Sequence, residues 1–112
     1  MTEKYHVFAN EQFQPRLGEL MRDLHKHAPS AYKEIRAAYD SMLKTLQNQP
    51  HVGTDIRVFD SRGAIDFEDI HLARKQRTLH IRVRVSDKEK TVELVWAWMD
   101  YMDKFKGFKL IW

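Results

Sequence analysis

Cysteine is absent from the 112 residues, which excludes disulfides, thiolate metal sites and a cysteine nucleophile and fits a protein kept in a reducing cytoplasm. No apolar run approaches the roughly 20 residues that a spanning helix requires, and the polar start MTEKYH lacks the apolar core of a signal peptide. We therefore expect no membrane partner. Glycine-rich phosphate loops, GxSxG elbows and HExxH zinc motifs are also missing. The six histidines, at 6, 25, 27, 51, 71 and 80, show no metal-ligand spacing. The expectation is a protein without metal or cofactor. Repeats, low-complexity tracts and interdomain linkers are not visible, so residues 1–112 read as one domain, large enough to bury a core without covalent staples.

What is present is uneven in charge. Residues 1–73 hold 9 Lys/Arg against 11 Asp/Glu, and residues 74–112 hold 10 against 5. The basic half contains the most informative stretch, RTLHIRVRVSDKEKTVELVWAWMD (77–100), which reads as a β-hairpin. Leu79, Ile81, Val83 and Val85 alternate with Thr78, His80, Arg82 and Arg84. After the turn, Val92, Leu94, Trp96 and Trp98 share one parity. A four-residue loop, Asp87–Lys90, pairs Val85 with Val92, Val83 with Leu94, Ile81 with Trp96 and Leu79 with Trp98, which makes both tryptophans core. The opposite face then sets Arg84 against Glu93, His80 against Ala97 and Arg82 against Val95, a cationic patch over a floor of small residues. In the same register Arg77 faces Asp100.

Ahead of this hairpin, Lys4–Ala9 alternates weakly as a short first strand. Asn10 suits the N-cap of a helix to about His25, with Phe13, Leu17, Leu20, Met21 and Leu24 at helical spacing and Pro15 in the first turn. Pro29 or Ser30 opens a second helix, ending near Gln47, whose stripe is Tyr32, Ile35, Tyr39, Met42 and Leu46. Turn chemistry at NQPHVG (48–53) and SRG (61–63) brackets a brief strand over Ile56–Phe59, and a further strand runs over Ala64–Leu72 into the cluster RKQR (74–77). The expected fold is α+β, an N-terminal helical hairpin packed on one face of a small, mainly antiparallel sheet. Asp66, Glu68 and Asp69 read as the charge of an edge strand that discourages aggregation.

The order of these elements, the phrase LKTLQNQPHVG (43–53) closing the second helix, and the hairpin RTLHIRVRVSDKEKTVELVWAW (77–98) together resemble the RelE/ParE superfamily of bacterial type II toxins. The resemblance covers most of the chain. It implies either a metal-independent endoribonuclease that cuts messenger RNA on the ribosome or a non-cleaving inhibitor of a protein target such as gyrase, each neutralised by an acidic antitoxin. The family's arginine-bearing strand corresponds to His80 and Arg82. The stretch that follows the final strand, basic or histidine-containing in many members, corresponds to Met99-Asp100-Tyr101-Met102, where Tyr101 alone suits the role.

The residues allow such chemistry in their own right. RNA cleavage by internal transfer needs a base for the 2′-hydroxyl, a cation beside the phosphate and a proton donor for the leaving 5′-oxygen. His80 titrates near neutrality, Arg82 can stabilise phosphorane charge, and Tyr101 can stack a base, which makes these three the candidate catalytic group. Lys75, Arg77, His71 and Arg74 are the candidate RNA-binding residues. Each also has a plainer reading as a solvated strand residue. A third reading, from outside the toxins, is a non-enzymatic interaction module: the tail KFKGFKLIW (104–112) alternates lysine with apolar residues and would serve as a last strand or as a homodimer contact.

Overall fold

The computed structural model describes residues 4–101; the tail at 102–112 lies outside them. Asn10 starts the first helix as its sequence pattern requires. Its side-chain Oδ1 accepts the backbone N–H groups of Gln12 and Phe13, each at 3.0 Å, and Phe13 N–H is shared with the Asn10 carbonyl at 3.2 Å, so the first donors of the helix are satisfied. Helix α1 (Phe13–His27) carries Pro15 in its first turn, where a missing N–H breaks no bond, and buries Phe13, Leu17, Met21 and Leu24. Ala28 closes α1 by donating its N–H to the Leu24 carbonyl at 2.8 Å, and Pro29 opens α2 (Pro29–Asn48) at the next residue. The buried stripe of α2 is Ala31, Ile35, Ala38, Tyr39, Met42 and Leu46. Two amphipathic helices in antiparallel sequence need an apolar partner for their joint face, and the sheet supplies it.

The strands are β1 (His6–Ala9), β2 (Thr54–Asp60), β3 (Gly63–Arg74), β4 (Arg77–Ser86) and β5 (Thr91–Tyr101). They form one sheet in the order β1-β5-β4-β3-β2, with β1 parallel to β5 and every other pair antiparallel. The fold is thus α+β, two helices on one side of a five-stranded mixed sheet. Ile70, Leu72, Leu79, Ile81, Val83, Val92 and Leu94 point to the helices and are at most 2 % exposed. Because side chains alternate along a strand, the intervening residues of β3, β4 and β5 form a second face. No helix covers that face among the described residues. Strand β3 is an interior strand rather than the edge that its acidic residues implied. Those carboxylates are matched one by one instead: Asp66 with Arg57, Glu68 with His51 and Asp69 with Arg82.

The hairpin follows the expected register only half-way. Val85 pairs with Val92, Arg84 with Glu93 and Val83 with Leu94, but the next pair is Arg82 with Trp96. Val95 is an extra residue on β5, a β-bulge, and from there the parity of β5 is inverted. Ala97 and Met99 turn to the helices, with Ala97 fully buried, while Trp96 and Trp98 turn to the other face, Trp96 at 38 % exposure. The expectation that both tryptophans sit in the core is overturned. So is the floor of small residues, because His80 lies opposite Trp98 and Arg82 opposite Trp96. Asp100 pairs with Thr78, and Arg77 with Tyr101.

The bulged edge is held from the other end of the chain. Strand β1 pairs with β5 only as far as Leu94, which leaves the next carbonyls of that edge without a strand. Asn10 donates its backbone N–H to the Leu94 carbonyl at 3.1 Å and its side-chain amide to the Val95 carbonyl at 3.2 Å. Arg16 donates its Nε–H to the Ala97 carbonyl at 3.1 Å and lays its guanidinium 5.2 Å from the Trp96 ring centre. A buried edge carbonyl without a donor would be costly. The start of α1 therefore replaces a strand along the bulged edge, and the small Ala97 lets the helix approach.

Candidate functional site

The helix-free face brings together residues from three strands. Its rows read Ala73–Thr78–Asp100, His71–His80–Trp98 and Asp69–Arg82–Trp96 across β3, β4 and β5. The β3–β4 connection fixes this alignment: Lys75 and Gln76, with φ of 49° and 63°, make a two-residue turn of the kind that suits the twist of a hairpin.

His71 and His80 meet ring to ring, with 2.8 Å between their Nδ1 atoms. His80 is 3 % exposed. Its ring stacks on Trp98 at 4.9 Å and 8°, and His71 stands edge-on at 79°. On the far side of the His80 ring, Nε2 lies 2.8 Å from Asp100 Oδ2, although the carboxylate sits off the N–H axis and faces the polar ring edge without making a well-directed hydrogen bond. Burial pushes the pKa of His80 below its ordinary value, against the pull of Asp100, and burial does the same to His71 against Asp69. Both rings are therefore neutral near pH 7.

Arg82 is held in a bidentate pair, Nε to Asp69 Oδ1 at 2.8 Å and Nη2 to Asp69 Oδ2 at 2.9 Å. Its guanidinium also lies 5.2 Å from the Trp98 ring centre and 5.8 Å from that of Phe67. The cation expected to stand uncompensated is thus neutralised. Across the face Arg82 is balanced by Asp69 and Arg84 stands opposite Glu93, with Asp100 in addition. This surface is aromatic and close to neutral, and the expected cationic patch is absent from it.

Of the residues singled out from sequence, His80, Arg82 and His71 share this face. Tyr101 is the last position of β5, opposite Arg77. Arg74 and Arg77 have the parity of Leu72 and Leu79, so they belong to the helix side. Arg77 lines a recess with Asp23, His27 and Met99, and Arg74 donates Nη1–H to its neighbour's carbonyl, Ala73 O, at 2.7 Å. Lys75 occupies the turn, 3.3 Å from Glu34 Oε2. The structure does not gather these three cations around the histidines. Trp96, Trp98, Asp69 and Asp100 were not foreseen as part of the site.

A second polar cluster also escaped the sequence reading. His51, in the α2–β2 connection, places Nδ1 2.6 Å from Glu68 Oε2 and Nε2 2.8 Å from Asp87 Oδ1. Tyr5 donates its hydroxyl to the same Asp87 oxygen at 2.6 Å. With carboxylates on both ring nitrogens, Asp87 first and Glu68 second, His51 holds its proton above the ordinary range. Gly53 makes the approach feasible, since a Cβ there would stand 2.8 Å from Glu68 Cβ. Both ring nitrogens are occupied, so His51 joins four chain segments and offers no open nitrogen for proton exchange.

Among the described residues no group of three or more His, Asp or Glu side chains is disposed to hold a metal ion, and no helix is long and apolar enough to cross a membrane. Comparison with known proteins returned no matching family model, no matching curated protein and no matching solved structure.

Proposed function

We propose that this chain is a toxin-like RNA-cleaving protein of the RelE/ParE kind, acting through the helix-free sheet face on single-stranded RNA, including messenger RNA on a ribosome, and restrained by an acidic antitoxin. The observation that carries the reading is the chain Asp100, His80, His71 beside the exposed ring of Trp96 and the half-buried ring of Trp98. Acid–base groups next to stacking surfaces are what metal-independent phosphodiester transfer uses. The 2′-oxygen bonds to phosphorus as it loses its proton to a base, and the bond to the 5′-oxygen breaks as that oxygen receives a proton. The products are a 2′,3′-cyclic phosphate and a 5′-hydroxyl. Bases would be held by stacking, since Arg82 is already engaged by Asp69.

A labelled single-stranded RNA titrated into the protein should quench tryptophan fluorescence with only a shallow dependence on salt, and Trp98→Ala should weaken binding by about 5- to 150-fold, the range of one stacking contact. His71→Ala should slow cleavage by about 100- to 10,000-fold while RNA affinity holds. Absence of both quenching and cleavage would remove RNA as the target. The neutral charge balance of the face favours one second reading, a non-cleaving inhibitor that docks a protein such as gyrase on the same aromatic surface. Growth arrest that survives His71→Ala and is lost with Trp98→Ala would select it.

A further inference from the structure

Two imidazoles whose Nδ1 atoms stand 2.8 Å apart admit one proton between them. Two bare nitrogens repel, and two N–H groups collide, so one ring must donate and the other accept. Asp100 decides which. Its Oδ2 is 2.8 Å from His80 Nε2, and even off the N–H axis a carboxylate oxygen that close repels a bare nitrogen lone pair and favours hydrogen on that nitrogen. In its neutral form His80 then has a bare Nδ1, which accepts from His71. His71 donates through Nδ1–H, and neutral His71 is left with its lone pair on Nε2. The fixed end of this chain is buried, His80 being 3 % exposed and stacked on Trp98, while His71 is the half-buried member.

We propose that His71 Nε2 is the proton-exchanging atom of this face, and that His80 and Asp100 are positioning residues that fix its tautomer and take up its charge. A proton arriving at His71 Nε2 makes the pair cationic. The shared proton can then pass from His71 Nδ1 to His80 Nδ1, which moves the positive charge from the rim to the ring beside Asp100. When the shared proton returns from His80 Nδ1 to His71 Nδ1, His71 is again the cation and can donate its Nε2–H, as an acid–base group serving both halves of a transfer reaction must. The other charged groups facing the pair are Asp69 of β3, which favours the cation, and Arg82 of β4, which Asp69 largely cancels. Asp100 of β5 is thus the carboxylate with a direct hold on the pair. This assignment rests on the acid–base reading of the face given above, but the tautomers can be observed without any substrate.

Long-range proton–nitrogen correlation spectra of the wild-type protein at pH 7 should show bare-nitrogen shifts for His71 Nε2 and His80 Nδ1 and protonated shifts for the other two ring atoms. Over a titration the pair should take up one proton, entering at His71, and Asp100→Asn should lower that midpoint by about half a pH unit or more. The acid limb of the RNA-cleavage profile should move by the same amount, and Asp100→Glu should restore it in part. A His71 ring protonated on Nε2 at pH 7, or a midpoint indifferent to Asp100→Asn, would overturn the proposal. The wild-type tautomers answer the question even where a variant folds poorly. Correct tautomers without RNA cleavage would uphold the proton chain and defeat the RNA reading, and cleavage with a midpoint indifferent to Asp100 would do the reverse.

Discussion

Asn10 and Val95 are 85 residues apart in sequence and joined by a 3.2 Å hydrogen bond from the Asn10 amide to the Val95 carbonyl. The same side chain caps α1 through its oxygen. One residue thus sets where the first helix begins and where the last strand bulges.

Asn10→Ala should therefore cost more than a cap alone, which accounts for about 0.5–2 kcal/mol. Asn10→Asp separates the two roles, since it keeps the capping oxygen and puts an acceptor against the Val95 carbonyl. In urea melts Asp at this position should fall between wild type and Ala, with a shifted tryptophan emission. Wild-type stability and emission in Asn10→Asp would show that the bulge stands without the amide.

Replacing Trp96 by alanine should cost less than about 2 kcal/mol, because the ring is 38 % exposed and full core burial is what makes such truncations cost about 3–5 kcal/mol. Ala97→Leu should be the more damaging change at about 1–3 kcal/mol, because Ala97 is fully buried where α1 approaches β5. Denaturant midpoints for the two variants in the reverse order would return the tryptophans to the core.

Stability should respond to pH in opposite senses at the two histidine clusters. His51 binds its proton more tightly folded than unfolded, so its contribution is complete below its unfolded value of about 6.5 and is lost as pH rises through the higher folded value. His71 and His80 bind theirs less tightly folded. Their contribution is complete above about 6.5 and is lost as pH falls through the lower folded values. Thermal melts from pH 5 to 9 should show His51→Gln flattening only the alkaline limb and His80→Gln only the acid one. A single variant that flattens both would mean that the clusters are coupled.

Gly53→Ala should destabilise by about 1–3 kcal/mol, since the new Cβ meets Glu68 Cβ at 2.8 Å and the Asp69 carbonyl oxygen at 3.1 Å. The strand cannot yield easily under those contacts. The substitution should also release His51 from Glu68, so its proton affinity, followed by NMR, should fall towards that of a free histidine. An unchanged His51 titration would place the strain elsewhere.

The helices and the near half of the hairpin were legible because each depends on local pattern: apolar spacing, Asn10, Pro29, and the four-residue turn that sets Val85 against Val92. The far half was not, because the bulge at Val95 is bonded to Asn10, near the start of the chain, and strand alternation does not reveal such a partner. The His71–His80 and Asp69–Arg82 pairs were concealed by the turn before them. Lys75-Gln76 adopts positive φ at both positions without the Asn-Gly or Asp-Gly that announces such a turn. Had that two-residue loop been assumed from the break in alternation at RKQR, both pairs would have followed by counting back from Arg74 opposite Arg77.

Strand β1 lies beside β5 with His6 next to Thr91, so the sheet closes only when the two distant ends of the described fold meet. During synthesis α1 and α2 leave the ribosome well before their apolar stripe has β4 and β5 to cover it, and the nascent hairpin of helices is a natural client for a chaperone. The long loop that must close before this pairing forms also makes folding slow relative to a helical protein of the same length, and it ties the first strand, the bulge and the histidine pair into one cooperative unit. Loosening β1 would unmake the site from the neighbouring edge of the sheet without altering any residue in it.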